Sequence, residues 1–195
     1  MGRPAAFLDR DGVINEDRGY VHRWEDFAFV AGAVDAMRRL QAAGYALVVV
    51  TNQSGVARGY YDEAALERLH DRMRSELAAH GVALAAIEYC PHLPGAAVAR
   101  LAVDCDCRKP APGMMLRAAR RLALDLPASL LFGDRASDLE AARAAGIGRY
   151  ALLATDGVGE PAPLSGELAN APRYRSLAEA VDAMLAPAGS NEAPA

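Results

Sequence analysis

The sequence predicts a single α/β domain in which helices cover both faces of a parallel sheet. Short apolar runs typical of buried strands alternate with segments of helical spacing, which indicates successive right-handed βαβ units. The chain has 195 residues, of which 52% are apolar, and this is enough for one buried core. No internal repeat or linker divides it. We therefore expect one domain over residues 1–186 and a flexible tail over residues 187–195.

Five apolar segments are predicted as strands. Residues 5–8 form a short apolar run that stops at Asp9, and residues 45–50 are continuously apolar, as expected for a strand buried on both faces. Each of the other three runs follows a helical segment. The predicted strands are residues 5–8, 45–50, 83–89, 129–132 and 149–154.

Five further segments have the spacing of helices. The first ends at Gly44, a residue that favours helix C-termini, and the second begins after Asp62, whose carboxylate can cap its first turn. In the second helix the leucine and methionine side chains share one face, and we expect His70 and His80 on the solvent-exposed surface. The predicted helices are residues 33–43, 63–80, 113–124, 137–146 and 177–185.

Composition and charge argue against several classes of protein. The net charge of −4 leaves no basic surface for nucleic acid. No apolar run is long enough for a membrane span and no signal peptide precedes the first strand, so we expect a cytoplasmic protein without membrane or nucleic-acid partners. We also expect a monomer. Three cysteines, an odd number, argue against a disulfide framework.

Polar residues follow three of the predicted strands. Asp9, Thr51 and Asp134 each stand at the carboxyl end of a strand, and in a parallel sheet these ends meet along one edge, where ligands bind. Asp11 follows Asp9 by two residues. Taken singly, such residues are also typical of solvated turns and helix caps, and Lys109 is compatible with a surface lysine. Their convergence on one edge favours an active site.

These residue types match the chemistry of phosphoryl transfer. Asp9 offers a carboxylate nucleophile, and Asp134 offers the hard oxygen that Mg²⁺ prefers. Asp11 can protonate a leaving alkoxide and later activate water. Thr51 and Lys109 can bind the transferring phosphoryl group through a hydroxyl and a positive charge. The hypothesis is therefore a magnesium-dependent phosphatase.

Four segments resemble, in chain order, the successive motifs of the haloacid-dehalogenase-like (HAD) phosphatase superfamily: FLDRDGVIN, VVVTNQSGVARG, CRKPAPGM and LLFGDRASD. The resemblance implies a Rossmann-like domain with the residue roles given above, an aspartyl-phosphate on Asp9, and Mg²⁺ bound by Asp9, Asp134 and the carbonyl of Asp11. Asp138 matches a second acid of the last motif, which orients the metal site or caps a helix. The intervals after the first two strands are short, so no large cap domain is expected.

Within this superfamily the chain is similar to the heptose 1,7-bisphosphate 7-phosphatases, through DRGYVH, TNQSGVARG and a cysteine-containing insert before CRKP. That resemblance implies hydrolysis of the 7-phosphate in a bacterial pathway of nucleotide-activated heptose synthesis for lipopolysaccharide. Arg135 stands where the family usually has lysine, and the two cations differ in geometry. The substrate-binding residues implied by the resemblance are Asp17, Arg18, Gly19, Tyr20, Thr51, Asn52, Gln53, Ser54, Arg108, Lys109 and Arg135.

The cysteine insert over residues 90–107 contains every cysteine of the chain. Cys90 and His92 form one pair of potential ligands, and Cys105 and Cys107 form another. A Cys₃His set suits tetrahedral Zn²⁺ with no open position, although zinc fingers usually have longer spacings between ligands. The alternative is a group of reduced structural cysteines. We expect a structural zinc that stabilises the long loop and holds the cations that follow it.

Other functions remain open at this point. A histidinol-phosphate phosphatase has a similar zinc loop, and its substrate carries an amine instead of a second phosphate. A hydrolytic dehalogenase would need neither Asp11 nor Mg²⁺. A zinc-stabilised nucleic-acid-binding module conflicts with the acidic balance and with the Asp9–Asp11 pair. The sequence therefore favours the sugar bisphosphate phosphatase.

Overall fold

The structure is a computed structural model that describes residues 2–154, 164 and 166–186. Six parallel strands form one sheet in the order β3-β2-β1-β4-β5-β6. The strands are β1 (Ala5–Leu8), β2 (Ala46–Asn52), β3 (Leu84–Cys90), β4 (Leu130–Gly133), β5 (Arg149–Leu153) and β6 (Arg173–Tyr174). The helices are α1 (Ala33–Ala42), α2 (Ser54–Arg58), α3 (Glu63–Ala79), α4 (Gly113–Leu122), α5 (Ala136–Ala145) and α6 (Leu177–Leu185).

Helices cover both faces of the sheet, as predicted. Successive side chains of β1 point to opposite faces because strand side chains alternate. Leu8 packs into a core formed with α1, α3 and α6, whereas Phe7 packs into a second core formed with α4 and α5. The apolar runs read as strands are therefore buried on both sides, which confirms the α/β fold class.

Every predicted strand and helix is present with boundaries within two residues of those predicted, and one additional α-helix and one additional strand occur. β2 continues two residues beyond the predicted end because Thr51 and Asn52 remain paired with β3. The helix α2 and the strand β6 were not predicted, because segments of five and two residues are too short to show a periodicity. No cap domain follows β1 or β2 within the described residues.

The expectation for His70 is wrong. Its side chain is buried on α3, whereas His80 at the end of that helix is half exposed, as predicted. The predicted N-cap is confirmed, since the Asp62 carboxylate accepts a hydrogen bond from Ala65 N at 2.7 Å. The predicted tail over residues 187–195 lies outside the described residues, and the domain limits stay a prediction.

The insert after β3 packs against α2 and α3 through a small apolar cluster that it shares with them. Leu101 of the insert is buried against Val56 of α2 and Leu66 of α3. Val98 N donates to Ala57 O at 2.9 Å, which joins the insert to α2. None of the helices in the described ranges combines the length and apolar character needed to cross a membrane.

Candidate active site

Three predicted site residues meet at the carboxyl edge of the sheet. Because β1 lies between β2 and β4, the ends of these three strands are neighbours. Asp9 follows β1 directly and remains in the sheet through a hydrogen bond from its N–H to Phe132 O at 3.0 Å. Thr51 and Asp134 lie on either side of it, and all three side chains are buried.

A group of three carboxylates lies at this edge. Asp9, Asp134 and Asp138 each offer an oxygen within 4.8 Å of the others. Among the described residues, no donor forms a hydrogen bond to Asp134 Oδ1, although this atom is buried. Gly12, at φ +81°, brings the chain so close that a Cβ there would lie 2.5 Å from Asp134 Oδ2. Clustered carboxylate oxygens with an unsatisfied acceptor fit Mg²⁺.

Lys109 partly neutralises these carboxylates. Its ammonium lies 3.0 Å from Asp9 Oδ2, pairs with Asp138 and donates to Val50 O at 2.9 Å. Asn52 fixes the lysine backbone, because its side-chain amide accepts from Lys109 N and donates to Lys109 O, both at 3.1 Å. The lysine is therefore held beside Asp9 by its head and by its main chain.

Burial and mutual repulsion disfavour ionisation of the acids. Burial raises the pKa of Asp9 from 3.8 to about 7, against the opposing effect of Lys109 and with help from Asp138. Burial and then Asp9 raise the pKa of Asp134 to about 8. The pKa of Lys109 is also raised, because Asp138 and Asp9 outweigh its own burial. A bound cation would relieve this repulsion.

These pKa shifts predict how the stability of the metal-free protein depends on pH. The folded state holds protons on Asp9 and Asp134 to higher pH than the unfolded chain, so the free energy of unfolding falls as pH rises from about 4 to about 8. The fall should be measurable as a lower melting temperature of the metal-free protein at pH 8 than at pH 6. Mg²⁺ should raise the melting temperature more at pH 8 than at pH 6.

Asp134→Asn is the control for this effect, because it removes a carboxyl group whose pKa is raised and leaves the shape of the side chain nearly unchanged. Its melting temperature should depend less on pH and respond less to Mg²⁺. Equal stabilisation of the wild-type protein by Mg²⁺ at both pH values would contradict the prediction.

Asp11 faces the same site from a network of donors. Its carboxylate accepts hydrogen bonds from Arg10 Nη2 at 2.9 Å, Asn15 Nδ2 at 2.9 Å and Gln53 Nε2 at 3.0 Å. Its side chain is 22% exposed, whereas the Arg10 side chain is fully buried. The carboxylate therefore reaches the pocket, and hydrogen bonds from Arg10, Asn15 and Gln53 fix its orientation.

A pocket of about 350 Å³ opens above the carboxylates. Every predicted site residue outside the cysteine insert lines it except Asp134, which lies in the carboxylate group, and Arg18, whose guanidinium binds Glu16 on the surface. Two further lining residues, Tyr61 and Ser137, were not predicted. The volume suits a small-molecule ligand.

The side chain of Gln53 is engaged within the protein. Its amide nitrogen donates to Asp11 and to Thr51 Oγ1, and its oxygen accepts from Tyr61 Oη at 2.7 Å. The amide of Asn52 is likewise engaged, by Lys109. The predicted contact of Gln53 and Asn52 with substrate stays a prediction. In this structure the two side chains form hydrogen bonds that hold Asp11, Thr51 and Lys109 in place.

Two arginines stand at the mouth of the pocket. Arg108 donates to the carbonyl of His92 at 3.3 Å, which links it to the cysteine insert. Arg135 Nη2 donates to Asp17 Oδ2 at 3.1 Å and so joins α5 to the loop after β1. The pocket therefore has carboxylates at its base and positive charge at its rim.

The cysteine insert brings four potential metal ligands together. The sulfurs of Cys90, Cys105 and Cys107 lie 3.2–3.6 Å apart, and His92 Nδ1 is 3.3 Å from Cys107 Sγ. In a tetrahedral zinc site with Zn–S bonds of about 2.3 Å, sulfurs are separated by roughly 3.8 Å. Burial raises the pKa of the Cys90 thiol, so a thiolate there needs a cation. The donor set fits Zn²⁺.

Comparisons with known proteins agree with this geometry. A family model described as HAD-hydrolase-like matches residues 106–180. A D-glycero-β-D-manno-heptose-1,7-bisphosphate 7-phosphatase from Photorhabdus laumondii is 48% identical over 92% of this chain and 94% of its own. The chain belongs to the heptose-1,7-bisphosphate 7-phosphatase family of HAD-like proteins. The family member from Escherichia coli K12 is 51% identical over 78% of this chain and 80% of its own.

A solved structure from the same family has the same fold. The D,D-heptose 1,7-bisphosphate phosphatase from B. bronchiseptica, complexed with magnesium and phosphate, superposes with a TM-score of 0.75. It is 34% identical, and the match covers 93% of this chain and 98% of that one.

Proposed function

We propose that this chain is a magnesium-dependent phosphatase that removes the 7-phosphate of D-glycero-β-D-manno-heptose 1,7-bisphosphate and leaves the 1-phosphate. The observation that carries the proposal is the position of Asp9. Its carboxylate lies at the base of the pocket, 3.0 Å from Lys109 Nζ and beside Asp11 and Asp134. The sequence identity to named members of the family supports the choice of sugar and anomer.

The first half of the reaction transfers the phosphoryl group to the protein. A carboxylate oxygen of Asp9 attacks phosphorus, the bond from phosphorus to the sugar oxygen breaks, and its electron pair passes to that oxygen. Asp11 gives this oxygen a proton, so the sugar leaves as an alcohol. Lys109 and Thr51 hold the phosphoryl oxygens while their charge is redistributed.

The second half returns Asp9 to its starting state. Asp11, now ionised, takes a proton from water, and the water oxygen attacks phosphorus. The bond between phosphorus and the Asp9 carboxylate breaks, which releases inorganic phosphate. Asp11 thus acts first as acid and then as base.

Magnesium would be held by Asp9, Asp134 and the carbonyl of Asp11, with Asp138 beside them. When bound, the ion neutralises negative charge so that an anionic nucleophile and a phosphate can approach each other. The unsatisfied Asp134 Oδ1 and the close carboxylates support this assignment.

Zinc would be held by Cys90, His92, Cys105 and Cys107. The closed set of four ligands supports a structural role, because it leaves no position for substrate. The hydrogen bond from Arg108 to His92 O supports a second consequence: the zinc loop fixes a cation at the rim of the pocket.

We place the enzyme in the bacterial cytoplasm, in the synthesis of nucleotide-activated heptose for lipopolysaccharide. Reduced cysteine ligands support a reducing compartment. A monomer, with no nucleic-acid or membrane partner, is supported by the surface, since the large apolar side chains exposed in the described part of the chain are Tyr20, Tyr60 and Val103.

A phosphate-release screen tests the proposed substrate. The purified protein with Mg²⁺ is offered the heptose 1,7-bisphosphate, histidinol phosphate, other sugar phosphates and nucleotides. The bisphosphate should give the highest kcat/KM, with 7-phosphate loss seen by ³¹P NMR. A higher value for histidinol phosphate would contradict the proposal.

Arg108→Ala tests how the pocket selects its substrate. Arg108 lies at the rim, where it can bind the part of the sugar that does not react, so its loss should lower kcat/KM for the bisphosphate by roughly ten- to a hundredfold. A small generic phosphate ester offers Arg108 nothing to bind, and its rate should barely change. Arg120→Ala on α4 is the control for loss of a surface arginine. Equal losses on both substrates would place Arg108 in the chemical step.

A further inference from the structure

Arg10 is buried between two proposed catalytic aspartates, yet the mechanism above gives it no role. Its guanidinium donates from Nη2 to both carboxylate oxygens of Asp11, at 3.0 and 2.9 Å, and to Val21 O at 2.7 Å. Its Nε lies 3.3 Å from Asp11 Oδ1. A fully buried arginine with such contacts fixes the position of the carboxylate it binds.

His70 contacts this guanidinium from the opposite side. Arg10 Nη1 lies 3.1 Å from His70 Nε2. Arginine has only donors, so Nε2 must accept the hydrogen bond and the ring proton must be on Nδ1. Burial and then the neighbouring Arg10 lower the pKa of His70 to about 3, which keeps the ring neutral at physiological pH. The ring also lies beside Tyr89, at a centroid distance of 5.8 Å.

We propose that His70 and Arg10 are positioning residues: His70 orients Arg10, and Arg10 holds the Asp11 carboxylate where it can protonate the leaving sugar oxygen. The inference rests on the role proposed for Asp11. It assigns a function to α3, which otherwise has no residue in the pocket, since His70 projects from that helix onto the guanidinium.

The geometry favours positioning over simple packing. Asp11 must keep one rotamer while its side chain is 22% exposed to the pocket, and Arg10 contacts both of its oxygens. Without an acceptor at position 70, Arg10 Nη1 would be a buried donor with no hydrogen-bond partner, and the guanidinium would rotate to find a different acceptor. The carboxylate would then lose its fixed direction.

The test compares leaving groups, because a proton donor matters most when the leaving oxygen is a poor anion. The kcat/KM value reports the steps up to departure of the leaving group. His70→Phe should lower kcat/KM for the sugar phosphate by roughly ten- to a hundredfold. It should lower the value for 4-nitrophenyl phosphate, whose leaving group is a stable anion, by about threefold at most. His70→Gln keeps an acceptor and should recover most of the loss.

Two controls separate the possible outcomes. His80→Phe alters an exposed histidine at the end of α3 and should leave both substrates unchanged. Asp11→Asn should show the same asymmetry between substrates. Suppose that Asp11→Asn shows this asymmetry, but His70→Phe lowers the rates on both substrates equally or lowers neither. The inference is then overturned, and the proposed function stands. If Asp11→Asn lowers both rates equally, the proposed role of Asp11 fails first.

A measurement on the wild-type protein covers the case in which His70→Phe does not fold. In ¹⁵N NMR spectra of the wild-type protein at pH 7, His70 should be neutral with its proton on Nδ1. A second variant, Arg10→Lys, lacks the planar guanidinium and should show the same difference between the two substrates as is expected for His70→Phe. A proton on Nε2, or equal losses for both substrates in Arg10→Lys, would overturn the proposal.

Discussion

Replacing Asp9 by asparagine should abolish turnover and leave the fold intact. The amide has nearly the same shape as the carboxylate but is not a nucleophile, so no phosphoenzyme can form. The change also removes a buried negative charge from the carboxylate group, while Lys109 keeps its pair with Asp138. The melting temperature of the metal-free protein should therefore not fall.

The measurement is phosphate release together with mass spectrometry of acid-quenched protein. Asp11→Asn should retain the nucleophile and be slower by roughly a hundred- to ten-thousand-fold. With an activated ester it should accumulate one phosphoryl group on the peptide that contains Asp9. Asp35→Asn, an exposed aspartate on α1, is the matched control and should have wild-type activity. Substantial turnover by Asp9→Asn would exclude the covalent mechanism.

Replacing Cys107 by serine should have the largest effect on stability. Serine is a poor zinc ligand, and a structural metal contributes its binding energy to folding. Loss of a metal site belongs to the substitutions that cost more than about 4 kcal/mol, which for a chain of this size lowers the melting temperature by roughly 10 °C. Activity should fall as well, because Arg108 and Lys109 directly follow the loop.

Metal analysis should find about one zinc per wild-type chain, retained after magnesium is removed. All three cysteines are proposed ligands, so the histidines provide the matched pair of variants. His92→Ala should lose zinc and stability, and His80→Ala should lose neither. The apolar contacts of Leu101 with α2 and α3 should keep the rest of the domain folded. A fully active, zinc-free preparation would refute the proposal.

Much of the fold could be predicted because its signals are local. Residues 45–50 are apolar throughout because β2 is buried on both faces. An unbroken apolar run of this kind can be recognised from consecutive residues of the chain without knowing what packs against them. The Asp62 carboxylate caps the start of α3 through a hydrogen bond from Ala65 N, and Gly146 ends α5 with a left-handed backbone conformation. The short helix α2 and the strand β6 gave no such pattern.

The position of His70 shows where local reasoning failed. It is four residues after Leu66 and three before Met73, both buried, so the helical spacing already placed it on the inner face of α3. A polar residue on an apolar face indicates a buried partner. The sequence could not identify that partner, because Arg10 is 60 residues away.

The strands, the order of the motifs and the convergence of Asp9, Thr51 and Asp134 follow from the sequence alone, because a parallel sheet brings the carboxyl ends of its strands to one edge. Which side chains pair at that edge depends on the tertiary structure. Arg135 binds Asp17 across 118 residues, and Asn52 clamps the backbone of Lys109 across 57. Such pairs depend on how helices and loops pack against the sheet. That packing is a property of the whole chain, and no pattern within a short stretch of sequence predicts it.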